Sequence, residues 1–173
     1  MLSVVAGGFP NDKFTGKREF DVWRACTLVS ILARGGEFKT KLNKLLFYAD
    51  FCAYRTLHVS ISGFRYARIS YGPVPKDYDA LYASFAQMGV VSIEPCVRHG
   101  LQGEVISSKA EPPPDMLSAE EVSIAEKVKD HFRGWTASET RTYSHKERAW
   151  KEVSTGSLIA YDYADKLNLK IDP

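Results

Sequence analysis

Two neighbouring segments constrain the fold of this chain most strongly. Apolar side chains repeat with helical spacing through residues 40–57, which predicts a long amphipathic helix. Further along, the segment Gly72-Pro73-Val74-Pro75 cannot be helical, because each proline disfavours the α conformation in the residue before it. Its last proline can stand near the first turn of a following helix, where the missing N–H is not needed. The sequence therefore predicts a core helix and, after it, a rigid extended turn that leads into another helix.

Local patterns along the rest of the chain predict mostly helices with a small amount of β-structure. Strand-forming residues on both sides of a glycine-containing turn predict a hairpin. Three Ser/Thr…Glu spacings, which begin at Ser118, Thr136 and Ser144, match the capping box found at helix starts. The predicted helices span about 19–34, 40–57, 78–88, 119–133, 137–143, 145–154 and 161–167, and the predicted strands or extended segments span 59–71, 90–93 and 104–107.

The length of 173 residues suits one domain. Glycine and proline breakers in residues 1–17 predict a flexible N-terminal leader. Three consecutive prolines predict a stiff surface linker near 109–117, which lies inside a single domain spanning 18–173 because too few residues follow it for a separate core. The expected fold class is mainly α (α+β): a compact helical domain with a small β-hairpin or short strands.

Composition and charge argue against several classes of protein. A net charge of +2 is too small to indicate binding to nucleic acid or to a membrane surface by itself. No apolar run approaches the roughly 18 residues of a membrane span, and the apolar N-terminus lacks the basic start of a signal peptide, so we expect a cytoplasmic protein. Cys26, Cys52 and Cys96 are too widely spaced for a zinc site and are expected to be buried free thiols. No metal or cofactor is predicted.

Positive charge is concentrated around the predicted central helix. Between residues 34 and 68 the chain carries seven basic and two acidic residues. Lys41, Lys44 and Arg55 fall outside the apolar stripe and are expected on the polar side of the helix. This basic face could meet nucleic acid or an acidic protein, or it could be an ordinary solvated surface.

His145 and Glu147 form the most enzyme-like pair in the sequence. Residues two apart on a helix do not face each other, so this spacing makes neither a catalytic dyad nor a metal clamp. With Ser144 as the cap, His145 is expected at the first helical position, where its ring donates to a nearby backbone carbonyl, and Trp150 is expected to anchor the same helix. The sequence has no nucleophile elbow, phosphate-binding loop or paired-carboxylate motif, so no enzyme is predicted.

The proline segment offers too few N–H groups to cradle a phosphate. It can instead hold its neighbours Tyr71, Lys76 and Tyr78 rigidly. Such an edge suits protein binding, because little entropy is lost when it docks. A purely architectural role is the alternative.

Three blocks of sequence, in this order, resemble the Panacea antitoxin domain, also called the SocA-like family. The first is Lys-Leu-Asn-Lys-Leu-Leu-Phe-Tyr-Ala-Asp at 41–50, the second is Tyr-Gly-Pro-Val-Pro-Lys-Asp-Tyr at 71–78, and the third is Ser-His-Lys-Glu-Arg-Ala-Trp at 144–150. The resemblance extends over about 20–169. The residues that carry the family pattern and are expected to be structural are Leu45, Pro75, His145, Glu147 and Trp150.

The chain looks most like family members in which this domain follows a zinc-ribbon and helix-turn-helix module. It lacks the paired Cys-x-x-Cys motifs that such a module needs, so direct DNA binding is not expected. The family is similar to bacterial antitoxins of two-gene toxin–antitoxin systems, often carried by prophages and other mobile elements, which neutralise toxins by direct protein contact. One relative is a proteolytic adaptor that delivers its toxin to a protease.

The resemblance therefore implies a non-enzymatic antitoxin whose partner is a cognate toxin protein. A proteolytic adaptor that also binds a cellular protease is the alternative, and a cryptic hydrolase or a nucleic-acid-binding domain are rivals from other classes. The candidate partner-binding residues are Lys44, Arg55, Tyr71, Gly72, Pro73, Lys76 and Tyr78.

Overall fold

The computed structural model describes residues 11–98 and 100–173, which form helices and two small antiparallel sheets. Helices account for 44% of the described residues and strands for 17%, so the fold is mixed α+β. The helices are α1 (Val22–Leu32), α2 (Lys39–Leu57), α3 (Tyr78–Gln87), α4 (Ala119–His131), α5 (Ala137–Ser144), α6 (Arg148–Glu152) and a 3-10 helix (Tyr161–Lys166). The strands are β1 (Glu37–Phe38), β2 (Tyr66–Ile69), β3 (Gly72–Pro75), β4 (Val91–Arg98), β5 (Leu101–Ser108) and β6 (Leu158–Ile159).

Helix α2 runs through the centre of the domain, and all of its residues from 41 to 53 are buried. Helices α1, α4 and α5, the 3-10 helix and strands of both sheets pack around it. A helix covered on every side has no solvated face. The expectation that Lys41 and Lys44 lie on an exposed basic face is therefore wrong. Among the described helices, none combines the length and the apolar character needed to cross a membrane.

The two sheets have the strand orders β1-β5-β4 and β3-β2-β6. The predicted hairpin is present as β4 and β5, which pair from Val91 with Ser108 to Arg98 with Leu101. The predicted extended segment is also present and forms strand β3, whose residues pair with β2. Because both neighbours of the turn at 70–71 belong to one ladder, Tyr71 is held at a fixed place on the surface.

Two of the three predicted capping boxes are confirmed. Ser118 and Thr136 accept hydrogen bonds from the backbone N–H groups of Glu121 and Glu139, whose carboxylates bond back to the cap residues. The third box is wrong, because Ser144 is the last residue of α5. Its hydroxyl donates to the carbonyl oxygen of the preceding turn, at 2.8 Å, instead of accepting an N–H.

The segment after this false cap also differs from the expectation. Helix α6 begins only at Arg148, after Glu147, and ends at Glu152. His145 is not the first residue of a helix but the C-cap of α5. The predicted helix at 161–167 is present as a single 3-10 helix over Tyr161–Lys166.

Part of the predicted leader 1–17 is bound to the domain. The backbone carbonyls of Lys13 and Gly16 accept hydrogen bonds from the N–H groups of Tyr161 and Ser60, at 2.9 and 2.8 Å. The expectation of a loose leader therefore does not hold for these residues, and residues 1–10 lie outside the described part. The segment 109–117 contains neither helix nor strand and is mostly exposed. Its role as a linker within one domain over 18–173 stays a prediction.

Candidate functional site

The three sequence blocks meet at Gly72, the first residue of β3. Its backbone has φ of +106°, a conformation that residues with a Cβ rarely adopt. A Cβ built there lies 2.6 Å from Ser144 Oγ and 2.7 Å from Lys44 Cε. Glycine is therefore required for two reasons, and its lack of a side chain lets helix α2, strand β3 and helix α5 come into contact.

Lys44 is the most unusual side chain at this meeting point. It is 1% exposed, and it forms no hydrogen bond or ion pair with any other residue in the described ranges. Burial, together with the positive charge of Arg141, lowers the pKa of Lys44 to about 7. An ammonium group without a counter-ion in a low-dielectric environment favours its neutral form, so Lys44 is poised between the two states near neutral pH.

Lys44 is one of four basic side chains linked by electrostatic interactions, and we call the four residues Lys44, Arg68, Arg141 and His145 the basic cluster. The His145 ring stacks on Trp150 with centroids 3.9 Å apart, and the Arg68 guanidinium lies 4.4 Å from the same ring. Burial and then the charges of the other three cluster members lower the pKa of His145. Within the part of the chain that the structure describes, no carboxylate forms an ion pair with any of the four.

The rim of the basic cluster reaches solvent through Tyr71. This side chain is 59% exposed, and the Arg141 guanidinium lies 5.8 Å from the centre of its ring. Arg68, Arg141 and His145 are half-buried, whereas Ser144 and Lys44 are buried beneath them. The site is therefore a set of half-buried basic side chains at the surface with one buried amine below.

The family described as "Antitoxin SocA-like, Panacea domain" matches residues 42–151. The chain belongs to this family. The match contains all four members of the basic cluster as well as Gly72 and Trp150, so the site lies within the part of the chain that defines the Panacea domain. No curated protein and no solved structure matches the chain.

Other residues of the Panacea pattern are built into the fold. Leu45 is fully buried, and Pro75 pairs with Tyr66 in the β2–β3 ladder. The indole Nε1 of Trp150 donates to the carbonyl oxygen of Ile69 at 3.0 Å. These contacts tie the motif blocks to one another and so position the basic cluster.

Glu147 is buried and bonds away from His145. Its carboxylate accepts hydrogen bonds from the Tyr48 hydroxyl at 3.0 Å and from the Asn168 N–H at 2.9 Å. Burial raises the pKa of Glu147, and the two donors oppose this shift. The His145 ring instead has the Ser70 backbone as a hydrogen-bond partner, while its Nε2 atom is buried without one. In the described residues, no group of three or more potential ligands could hold a metal ion.

A second buried carboxylate organises the connection after α2. Asp50 is fully buried and accepts four hydrogen bonds, two on each oxygen. Oδ1 receives the N–H groups of Ile61 and Ser62 at 2.8 and 2.9 Å, and Oδ2 receives the hydroxyls of Ser62 and Tyr66 at 2.5 and 2.7 Å. Burial raises the pKa of Asp50, and these four donors oppose the shift. Asp50 thus closes the loop that leads into β2.

The predicted partner-binding residues are divided between surface and interior. Tyr71 and Lys76 are exposed at the two ends of β3, and Tyr78 is half-buried. Lys44, Gly72 and Pro73 are buried and cannot form an exposed edge.

Arg55 lies in a different environment from Lys44, although both belong to α2. Its guanidinium donates to the carbonyl oxygen of Ile171 and pairs with Asp172, at 2.8 and 3.0 Å. The predicted pairing of Lys44 with Arg55 on one basic face is therefore wrong. Sequence reasoning also missed Arg141, which lies four residues before His145 and so on the same side of the α5 end.

Proposed function

We propose that this Panacea-domain protein is the antitoxin of a toxin–antitoxin pair and that it neutralises its toxin by direct binding. The observation that carries the proposal is the family match over residues 42–151, which includes every element that builds the site. The family description names an antitoxin, which favours a binding protein over an enzyme.

The surface at Tyr71 supports the proposal because it has the composition of a binding centre. Tyrosine, tryptophan and arginine dominate the residues that contribute most to protein interfaces. Here an exposed Tyr71 is accompanied by Arg141 and by the half-buried Trp150. The β2–β3 ladder holds this surface rigidly, so little conformational entropy is lost on binding.

The test is co-expression with each gene that neighbours this one and is toxic when expressed alone, with growth rescue and pull-down as the two measurements. We expect the wild-type protein to restore growth and to retain the toxin. Tyr71→Ala and Lys76→Ala are expected to weaken both, because they remove exposed side chains at the two ends of β3. Trp23→Ala is the matched control, since Trp23 is a similarly exposed aromatic residue on α1, at 51%.

Three other results decide against parts of the proposal. A toxin that is neither retained nor neutralised by the wild-type protein refutes the antitoxin role. Rescue that survives both substitutions beside β3 places the interface elsewhere. The exposed residues Val97 and Leu101 at the tip of the β4–β5 hairpin are then the next to substitute. Rescue that disappears only in a strain lacking a cellular protease shows a proteolytic adaptor instead of direct neutralisation.

A further inference from the structure

We propose that the basic cluster is a binding site for a phosphate group, with Lys44 as its floor and Arg141 and His145 at its rim. Three observations of geometry support this inference. Four basic side chains converge without a carboxylate partner among the described residues, Lys44 is buried without a hydrogen bond, and His145 Nε2 is buried without one.

A bound anion offsets the repulsion between the positive charges of the basic cluster. Like charges that converge in a partly desolvated site disfavour one another's charged forms. Arg141 acts in this way on both Lys44 and His145. An anion between them restores the charged forms and supplies acceptors for the unused donors of the lysine and the imidazole. The Arg141 guanidinium pairs with no carboxylate among the described residues. It can therefore donate hydrogen bonds to two oxygens of one ligand.

The number and directions of the donors favour phosphate over a carboxylate. Donors come from α2 and from the C-terminal end of α5, so they approach a ligand from two sides. Arg68 of β2 adds positive charge, since its guanidinium already donates to the Trp150 carbonyl oxygen and to the Thr155 hydroxyl. A tetrahedral dianion offers more oxygens and more charge to such a set than a planar carboxylate does. Gly72 leaves room for the Lys44 side chain, because a side chain at position 72 would displace Lys44 from the site.

Binding is coupled to the protonation of Lys44. Arg141 acts on this amine, and Arg141, Lys44 and Arg68 all act on His145, so the charged groups that interact within the site are all basic. The pKa of Lys44 is about 7 in the free protein, and a bound dianion raises it. If only the ammonium form binds, the titration of Lys44 alone makes a ligand of constant charge bind about 30-fold more weakly at pH 8.5 than at pH 6. Protonation of His145, whose pKa is lowered in the free protein, strengthens binding further as the pH falls.

The experiment is calorimetric titration of the full chain, supported by thermal-shift measurements, at constant ionic strength. Sulfate is the first probe because its charge does not change in this pH range, and inorganic phosphate, a mononucleotide and acetate follow. The variants are Lys44→Met and Arg141→Gln. Lys44→Met removes an unpaired buried charge while keeping an unbranched apolar chain, so it is expected to fold. Lys151→Met, at an exposed position on α6, is the matched control.

We expect saturable sulfate and phosphate binding that falls at least tenfold in Lys44→Met and Arg141→Gln and persists in Lys151→Met. A mononucleotide that binds more tightly than inorganic phosphate assigns the site to an esterified phosphate, and equal binding assigns it to the free ion. The inference is overturned by any of three results: acetate binds as well as sulfate, the pH dependence is absent, or Lys44→Met binds like the wild type. Each of these results means an adventitious ion only. No toxin is present, so the result is independent of the antitoxin proposal.

Discussion

Removal of the Asp50 carboxylate is expected to destabilise the native state strongly. Asp50→Ala leaves two backbone N–H groups, those of Ile61 and Ser62, buried without an acceptor. Each unsatisfied buried donor costs about 1–3 kcal/mol, so the two amides together imply a loss of about 2–6 kcal/mol. The hydroxyls of Ser62 and Tyr66 lose an acceptor as well and are left out of this range.

Asp50→Asn separates the loss of hydrogen bonds from the loss of charge. The amide oxygen of asparagine can still accept from the two backbone N–H groups, and its NH2 group can donate to the two hydroxyl oxygens after they rotate. We therefore expect Asp50→Asn to lose less than half as much free energy of unfolding as Asp50→Ala.

Urea unfolding followed by circular dichroism measures both variants. A typical domain has a free energy of unfolding of about 5–15 kcal/mol, so the expected loss shifts the midpoint clearly without abolishing the fold at low temperature. The reasoning is refuted if Asp50→Ala loses less than about 1 kcal/mol with an unchanged slope, or if Asp50→Asn is the less stable of the two.

Three further predictions concern the core, the thiols and the buried lysine. Leu46→Ala in the buried face of α2 is expected to lower the free energy of unfolding by about 2–5 kcal/mol in a urea melt, and a loss below about 1 kcal/mol contradicts the packing. Burial raises the pKa of both Cys26 and Cys52 to about 12, so a thiol reagent at pH 8 should label only Cys96 rapidly, and fast labelling of all three in the native protein refutes this. Between pH 7 and about 10.5 the unfolded chain keeps the Lys44 proton that the native state has lost, so wild-type stability should rise with pH relative to Lys44→Met, and parallel pH profiles contradict the lowered pKa.

Features that depend on a few neighbouring residues could be predicted from the sequence. The caps at Ser118 and Thr136 are made by side chains three residues apart, and the β4–β5 hairpin pairs residues across one short turn. Prolines at 73 and 75 restrict their own neighbours, so the extended strand β3 also follows from local sterics. The family resemblance, which rests on the same local blocks, is confirmed as well.

The third capping box failed because the Glu147 carboxylate has distant partners, while the Ser144 hydroxyl bonds to the Arg141 carbonyl oxygen in its own helix. Glu147 is 99 residues from Tyr48 in the chain, yet its carboxylate is occupied by that hydroxyl and by the Asn168 N–H. A local pattern cannot reveal such competition for a hydrogen-bonding group. His145 consequently lies at the end of α5, where its ring can stack on Trp150.

The length of α2 and its apolar stripe can be read from the sequence, because the spacing of side chains on a helix is a property of the helix alone. The burial of the opposite side of α2 depends instead on packing between elements that are distant in the chain. Helix α5 and strand β3 cover Lys44 there, through a contact that requires glycine at position 72. Arg68 and Arg141 join it from elements far apart in the chain, since burial and the charge of a site are set by all the neighbours in space.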